Sequence, residues 1–372
     1  MKKLLFIALC LFLYNSSAWA EEFTEKQTPG DGDTVTVDSG DTYYYNGNQT
    51  FEIEGHSNVT LTNNGNIMAH NQPASPTEMT GQAGNFAVDA SGSSSSNFTL
   101  TNNGTIWAGE QTVIDLRSAT GTITVTNNAG AKIASGERMG SSHDHGLLEL
   151  TGAGSSGDTI TIANHGTIEN VAKNFAIIDL DSMTSGAIVN FTNTGTITQG
   201  AATMGDKSGG YMTIDAQSST DEINFTNSGT IQANKQVFIL GGSTNFTLTN
   251  SGTIKQDGYL YDGVNDGAAP TAEGATTIKV GESGSGATII NSGTISAFGQ
   301  NNHAITIGDN EAGEAHSNAT IENSGTISAG SDDYGRAIII IPNSGTTTSG
   351  TTIKVKEEAE FTGGIDLGKT VS

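Results

Sequence analysis

The segment NFTLTNNGTI, residues 97–106, decides the fold, because most of the chain consists of variants of it. Its first apolar residues alternate with Thr, and a period of two is typical of a β-strand that buries one face. The strand runs into Asn102, and Gly104 follows two residues later. We interpret this Asn and Gly as a turn, because both residue types tolerate positive φ. Ile106 then marks a second, short strand.

The segment recurs along the chain at irregular spacing. Its nine copies are NVTLTNNGNI (58–67), NFTLTNNGTI (97–106), TITVTNNAGAKI (122–133), TITIANHGTI (159–168), IVNFTNTGTI (188–197), EINFTNSGTI (222–231), NFTLTNSGTI (245–254), ATIINSGTI (287–295) and ATIENSGTI (319–327). In the third copy, which is longer, we take Gly130 as the corresponding glycine. Internal repetition of this kind is typical of a solenoid, in which each repeat stacks on the next.

A third apolar segment lies between successive copies, as in VIDL (113–116) and AIIDL (176–180). Each repeat therefore supplies three strands and three corners, which close one rung of a coil. When rungs stack about 4.8 Å apart, every strand pairs with its equivalents above and below. The sequence predicts an all-β fold, namely a single-stranded, right-handed parallel β-helix of about nine to ten rungs.

Stacking also predicts that one asparagine of every copy lies in a column at a corner away from water. We expect these side-chain amides to bond to one another from rung to rung, because buried polar groups need partners. The predicted asparagine ladder consists of Asn63, Asn102, Asn127, Asn164, Asn193, Asn227, Asn250, Asn291 and Asn323.

The two ends of the chain differ from the repeats. Residues 1–20 are predicted to be a signal peptide, because two lysines precede an apolar run and a small-residue cleavage site at Ala18 and Ala20. Residues 21–57 are expected to form an N-terminal cap, and residues 58–341 the repeats of the β-helix.

Residues 342–372 are expected to contain a degenerate last rung and a C-terminal tail. A gap-free alignment of residues 352–364 with residues 97–109 places Glu357 at the asparagine corner and Phe361 at the position of Ile106.

The composition excludes several classes of protein. The 372 residues include 39 acidic and 15 basic side chains, with a formal net charge of -24. Nucleic acid is therefore not an expected partner, because its binding depends on basic side chains. The only cysteine, Cys10, lies in the predicted signal peptide, which excludes a disulfide framework in the exported chain. No later apolar run is long enough for a membrane-spanning helix.

The corner that follows each short strand carries segments of variable length, for example residues 68–85, 134–146 and 255–275. Because they follow equivalent strands, we expect them to emerge along one edge of the coil, where repeat proteins commonly bind partners. The longest offers side chains for a protein or glycan, namely Tyr259, Tyr261, Asp262 and Asp266. We favour a solvated insertion without a ligand for this segment, because long loops cost little stability.

No cofactor or metal site is expected. His143, Asp144 and His145 offer at most three ligands, whereas a structural zinc site needs four. Acidic residues also recur once per repeat in the third strand, at Asp89, Asp115, Glu149, Asp179 and Asp215. We interpret this stripe as an exposed, solvated edge, and the alternative is a weak cation-binding stripe.

The recurring NSGTI segments, together with TGGIDLG (362–368), resemble the passenger region of Gram-negative autotransporters, the type V secreted proteins. The resemblance covers roughly residues 50–368. It implies export, a periplasmic stage, passage through an outer-membrane β-barrel, and display or release at the cell surface, often as an adhesin. No barrel strands follow Leu367, so the resemblance implies that the barrel is a separate or missing partner.

The expected function is adhesion or interaction by a non-catalytic protein at the cell surface, at the outer membrane or in secreted form. Its partner would be a host or cell-surface protein or glycan, and the protein would stay periplasmic if no translocator is present. Two alternatives remain. One is a secreted polysaccharide lyase or glycosidase, which needs carboxylates clustered with basic residues. The other is a truncated autotransporter fragment without activity.

Overall fold

The computed structural model of the protein is all-β, with three parallel sheets and no helix among the residues that it describes. The predicted parallel β-helix is confirmed. The described residues are 21–45, 49–69, 86–109, 112–135, 146–170, 176–183, 185–199, 212–219, 221–233, 236–240, 245–256, 276–281, 286–298, 302–308, 319–330, 335–341 and 351–367.

Sheet 1 contains the strand that begins each copy of the repeat, and equivalent residues of successive copies are in register. Val125, for example, lies between Leu100 and Ile162. The eleven strands are β2 (Thr34–Val37), β5 (Thr60–Asn63), β8 (Thr99–Asn102), β11 (Ile123–Asn127), β14 (Thr159–Asn164), β17 (Ile188–Asn193), β20 (Glu222–Asn227), β23 (Phe246–Asn250), β26 (Thr288–Asn291), β29 (Thr320–Asn323) and β32 (Thr352–Val355).

Sheet 2 contains the short strand that follows the asparagine corner. Its isoleucines are also in register, so that Ile133 lies between Ile106 and Ile168. The twelve strands are β1 (Glu22–Phe23), β3 (Thr42–Tyr45), β6 (Asn66–Ala69), β9 (Thr105–Ala108), β12 (Lys132–Ser135), β15 (Thr167–Asn170), β18 (Thr196–Gln199), β21 (Thr230–Ala233), β24 (Thr253–Gln256), β27 (Thr294–Ala297), β30 (Thr326–Ser328) and β33 (Glu360–Thr362).

Sheet 3 contains the third apolar segment of each repeat. The eleven strands are β4 (Gln49–Glu52), β7 (Phe86–Asp89), β10 (Ile114–Asp115), β13 (Leu148–Glu149), β16 (Ile178–Asp179), β19 (Met212–Asp215), β22 (Gln236–Ile239), β25 (Thr276–Val280), β28 (His303–Ile307), β31 (Ile338–Ile340) and β34 (Ile365–Asp366). A strand from each sheet makes one rung, and the core runs along the interior of the stack.

The core consists of columns of Ile, Leu, Val and Phe side chains from all three sheets. Each such side chain contributes roughly 1.5 to 3 kcal/mol when it is fully buried. Aromatic residues are concentrated in the middle of the stack, where the rings of Phe191 and Phe225 stack with centroids 4.5 Å apart. The ring of Phe238 meets Phe225 edge-on at 5.1 Å. The stack is therefore held together by side chains that are distant in sequence but equivalent in the repeat.

Residues 21–57, expected as a cap, contribute strands to all three sheets. β2, β3 and β4 pair with β5, β6 and β7, so they form a further rung below the first copy of the repeat. β1 covers β3, and the ring of Phe23 stacks on Tyr43.

At the other end, β32, β33 and β34 form the expected last rung. Phe361 pairs with Ile327, as the alignment predicted. The placement of Glu357 at the asparagine corner was wrong, because Val355 pairs with Asn323 instead. The corner between Val355 and Phe361 is two residues longer than the corner between Asn102 and Ile106, so a gap-free alignment misplaces the strand before it.

Candidate functional site

The nine predicted ladder asparagines lie one above another at the corner between sheets 1 and 2. In every adjacent pair, Nδ2 of the lower residue donates to Oδ1 of the upper residue over 2.7 to 2.8 Å. All nine side chains are at most 1% exposed. Val37 and Val355 occupy the corresponding positions below and above the ladder, where the row of bonds ends.

The ladder amides also bond to the main chain. The second hydrogen of Asn127 Nδ2 points to the carbonyl oxygen of Thr167 at 3.1 Å, and Asn250 Nδ2 contacts the carbonyl oxygen of Thr294 at 3.2 Å. From Asn63 to Asn291, both amide hydrogens of the ladder asparagines are used within the stack in the same way. The asparagine ladder stabilises the corner.

The glycine column follows the ladder and has a different physical cause from the one expected. It consists of Gly65, Gly104, Gly166, Gly195, Gly229, Gly252, Gly293 and Gly325. None of these residues has positive φ. The backbones of successive rungs instead approach so closely that a Cβ on Gly104 would lie 1.9 Å from the carbonyl oxygen of Gly65. Glycine is required here for close approach and not for a left-handed turn.

The assignment of Gly130 to this column was wrong. Ala131 occupies the position, because its carbonyl oxygen accepts the backbone N–H of Thr167 as the column glycines do in their rungs. The corner between Asn127 and Ile133 is two residues longer than the corner between Asn102 and Ile106. Gly130 lies within this extra length with φ 85°, and a Cβ there would meet nothing within 4 Å.

The stripe of acidic residues on sheet 3 is in register but is not the exposed edge that we expected. The carboxylate ladder comprises Glu52, Asp89, Asp115, Glu149, Asp179 and Asp215, one on each of β4 to β19 in that sheet. Asp115 and Glu149 are 0% exposed, and Asp89 and Asp179 are buried. Ile239 follows Asp215 in the same column and ends the ladder.

Five of the six carboxylates turn back and cap the corner that follows their own strand. The side chains of Asp89, Asp115, Glu149, Asp179 and Asp215 accept the backbone N–H two residues later. The third residue after each of them has positive φ, namely Gly92, Ser118, Gly152, Ser182 and Ser218. An acidic residue followed three positions later by Ser or Gly is therefore the sequence signal for this turn, and our reading of the stripe missed it.

Only one arginine pairs with the ladder among the described residues. Arg117 Nε donates to Asp115 Oδ1 at 3.0 Å, and Nη2 donates to Oδ2 at 2.5 Å. The guanidinium also lies 5.8 Å from the ring centroid of Phe86. Burial still raises the pKa of the Asp115 carboxyl, although its bonds to Arg117 act in the opposite direction.

The upper part of the ladder is electrostatically less favourable. Burial raises the pKa of Asp179 to about 8, and the neighbouring carboxylate of Glu149 adds to the effect. Burial also raises the pKa of Asp215 to about 6, with a smaller contribution from Asp181. These carboxyl groups therefore hold protons in a pH range where an ordinary aspartate is ionised.

The two longest connections of the solenoid, residues 70–85 and 257–275, each join a strand of sheet 2 to the following strand of sheet 3. Residues 136–147 and 200–211 connect the same two sheets, whereas residues 308–319 and 341–351, which are of similar length, join a strand of sheet 3 to the following strand of sheet 1. The corner between sheets 3 and 1, which we expected to carry only short links, therefore has long connections at this end of the solenoid. The corner between sheets 1 and 2 is short and uniform by comparison. The longest insertions thus lie at the corner between sheets 2 and 3, which we call the loop edge.

Several predicted residues lie outside the described part of the chain. These are the signal peptide at residues 1–20, His143 to His145, and the candidate ligand residues Tyr259, Tyr261, Asp262 and Asp266. The described residues contain no group of three His, Cys, Asp or Glu side chains that would hold a metal ion. Nor do they include a helix of the length and apolarity needed to cross a membrane.

Comparison of the chain with protein-family models, with curated proteins and with solved structures finds no match. A function must therefore be argued from the geometry of the solenoid and from its sequence.

Proposed function

We propose that the protein is an exported, non-catalytic solenoid that binds a host or cell-surface protein or glycan through its loop edge, as an autotransporter-like passenger. The observation that carries this proposal is the position of the two longest insertions, residues 70–85 and 257–275, at the same corner of the rung. Repeat proteins commonly use such an edge for binding, because the stacked rungs hold the loops at fixed spacing.

The rest of the molecule supports a scaffold role. The ladder amides are buried and satisfied within the stack, and the glycine column leaves no space for a side chain between rungs. The acidic stripe, which would be the starting point for a polysaccharide-cleaving enzyme, is largely buried and caps backbone N–H groups. General acid and base groups must reach the substrate, so these carboxylates do not favour the enzyme alternative.

Export to the cell surface is part of the same proposal and is tested separately. Removal of residues 1–20 would leave Glu21 as the first residue. N-terminal sequencing of protein recovered from the periplasm, the outer membrane and the medium would reveal this cleavage and locate the product. Uncleaved protein in the cytoplasm would contradict the proposed export.

Binding is tested by shortening the longest insertion without disturbing the stack. Residues 257–275, between β24 and β25, are replaced by Asn-Lys, the natural connection at residues 234–235 between β21 and β22. We expect the variant to keep the circular dichroism spectrum and thermal midpoint of the parent, because loop shortening costs little stability. Binding of protein-coated beads to epithelial cells and to arrayed glycans should be lost.

The matched control is the same replacement at residues 200–211, which changes another insertion of the loop edge. Loss of binding in one variant only would map the contact to that insertion. Binding that survives removal of both insertions, or no binding of the parent to cells and glycans, would contradict the proposal.

A further inference from the structure

The outer face of sheet 1 carries a regular array of threonines. Each strand places two side chains outward on either side of a core residue, as Thr99 and Thr101 do beside Leu100. In the four N-terminal strands of the sheet, β2, β5, β8 and β11, both outward residues are threonine, and the register does not shift between rungs. These eight residues, which we call the threonine array, are Thr34, Thr36, Thr60, Thr62, Thr99, Thr101, Thr124 and Thr126.

The fold itself does not require threonine at these positions. Sheet 2 is stacked in the same way, but the residues that follow its core isoleucines on successive rungs differ in kind, namely Met68, Trp107, Ala134 and Glu169. At the C-terminal end of sheet 1, one column of the array continues as Glu322 and Lys354. The β-strand propensity of threonine therefore does not by itself account for eight threonines in two unbroken columns.

The hydroxyl groups of the array are available to a ligand. None of the eight makes a hydrogen bond to another group of the protein in the part of the chain that the structure describes. Thr34 and Thr36 are exposed, and the other six side chains are partly exposed. Branching at Cβ restricts χ1 of threonine, so the hydroxyl and methyl groups are held at fixed, repeating positions.

The array repeats in two directions and is uncharged. Neighbouring rungs are about 4.8 Å apart, and residues two positions apart on one strand are about 6.6 Å apart. The oxygen atoms on a face of hexagonal ice also repeat in two directions at distances close to these. The array contains no charged side chain, although the chain has a formal net charge of -24. An uncharged surface is complementary to an uncharged lattice, because a charged group would lose its hydration on contact.

We propose that the threonine array binds ice, with its hydroxyl and methyl groups holding a layer of water that joins the ice lattice. Each contact is weak, but the solenoid holds all eight side chains in place, so that little conformational freedom is lost on binding. A crystalline neutral polysaccharide also repeats in two directions, but aromatic side chains usually stack on sugar rings, and the array contains none. The array lies on sheet 1 and not at the loop edge between sheets 2 and 3, so ice binding does not depend on the proposed function.

The first test uses ice and the purified full chain. A single ice crystal grown in the presence of the protein should become faceted, and the protein should stop the recrystallisation of small ice crystals in frozen sucrose solution. Crystals that stay round and coarsen as they do in buffer would overturn the proposal. Retention of the protein on cellulose or chitin, without any effect on ice, would also overturn it and would assign the array to a polysaccharide.

The second test places a charge in the middle of the array. Thr101→Lys leaves the core unchanged, and lysine is compatible with this column because Lys354 occupies it in the last rung. The protein concentration that stops recrystallisation should rise at least about tenfold, because contact with ice would strip the hydration from an ammonium group. Thr101→Val, which keeps a methyl group at the same branch point, should cause a smaller rise.

Thr230→Lys is the matched control, because it makes the same change on the outer face of sheet 2, in the column that Lys132 occupies naturally. It should leave the effect on ice unchanged, as should the replacement of residues 257–275. Thermal midpoints from circular dichroism show that the variants are folded, and Thr36→Lys on the exposed first rung replaces Thr101→Lys if the latter does not fold. Equal losses in the sheet 1 and sheet 2 variants would contradict ice binding by the array.

Discussion

Nδ2 of Asn193 lies 2.7 Å from Oδ1 of Asn227, although 34 positions separate the two residues in the chain. Asn164 donates to Asn193 in the same way from the rung below. Each amide is therefore both donor and acceptor in a buried row, and removing one side chain leaves a neighbour on each side without its ladder partner. Such losses are costly because water cannot replace the missing bonds.

Replacing Asn193 with Ala should lower the free energy of unfolding by about 2 to 6 kcal/mol, since two buried polar groups lose partners at about 1 to 3 kcal/mol each. Thr192→Ala is the control, because Thr192 is the half-exposed neighbour on the outer face of sheet 1. It should change stability by about 0.5 kcal/mol or less. Urea unfolding of both variants tests the ladder, and equal midpoints would argue against it.

The glycine column predicts a steric effect that has nothing to do with turn conformation. A Cβ on Gly229 would lie 2.1 Å from the carbonyl oxygen of Gly195, so Gly229→Ala forces two rungs apart. We expect the free energy of unfolding to fall by about 3 kcal/mol or more, which is at the upper end of the losses that overpacking causes.

Gly130→Ala is the control for Gly229→Ala, because Gly130 has positive φ and open space around its Cα. This variant should lower the free energy of unfolding by only about 1 to 2 kcal/mol, the cost of placing a residue other than glycine in the left-handed backbone region. A lower thermal midpoint for Gly130→Ala than for Gly229→Ala would show that close approach of the rungs is not the reason for the glycine column.

The phenylalanine cluster in the middle of the stack predicts a strong local contribution to stability. Phe225 is 1% exposed and contacts the rings of Phe191 and Phe238. Phe225→Ala should cost about 3 to 5 kcal/mol. Phe298→Ala, at a position 55% exposed, should be nearly neutral. Chemical denaturation followed by circular dichroism compares the two variants. Similar losses of stability would contradict the stabilising role of the cluster.

Much of the solenoid could be predicted because the type of residue indicates its position within the rung. Alternating apolar residues before Asn102 indicate which side chains face the core, and Ile106 marks the second strand. Repetition then sets the register, since equivalent residues must stack. The first strand of the last rung was misaligned by two residues at Val355. The corner after it is two residues longer, and the alternation of apolar residues does not show the length of a corner.

The carboxylate ladder could be aligned from the sequence but not interpreted. A period of two places Asp115 and Glu149 on the outer face of their strands, and outer residues are usually exposed. Their burial depends on how the side chains fold back over the corner and on what packs beside them. Those contacts join residues of different rungs, as in the hydrogen bond from Gln49 to Asp89. They cannot be predicted from the sequence around either residue alone.

The ion pair between Asp115 and Arg117 gives a last, pH-dependent prediction. Arg117→Met keeps much of the aliphatic packing but leaves the fully buried Asp115 carboxylate without its cation. Burial already raises the pKa of Asp115, and loss of the arginine removes the bonds that oppose this shift. We expect Arg117→Met to lower the free energy of unfolding by about 2 to 4 kcal/mol at about pH 8. This is less than the usual loss for a broken buried ion pair, because the Arg117 side chain is 35% exposed.

The loss caused by Arg117→Met should shrink as the pH falls, because a protonated Asp115 no longer needs the cation. Adding Asp115→Asn to Arg117→Met should restore most of the stability at about pH 8, since asparagine still accepts the backbone N–H of residue 117. Urea unfolding of the parent, Arg117→Met and the double variant at about pH 5 and pH 8 separates charge from packing. A loss for Arg117→Met that is the same at both pH values, and that Asp115→Asn does not reverse, would assign the role of Arg117 to its contact with Phe86 instead.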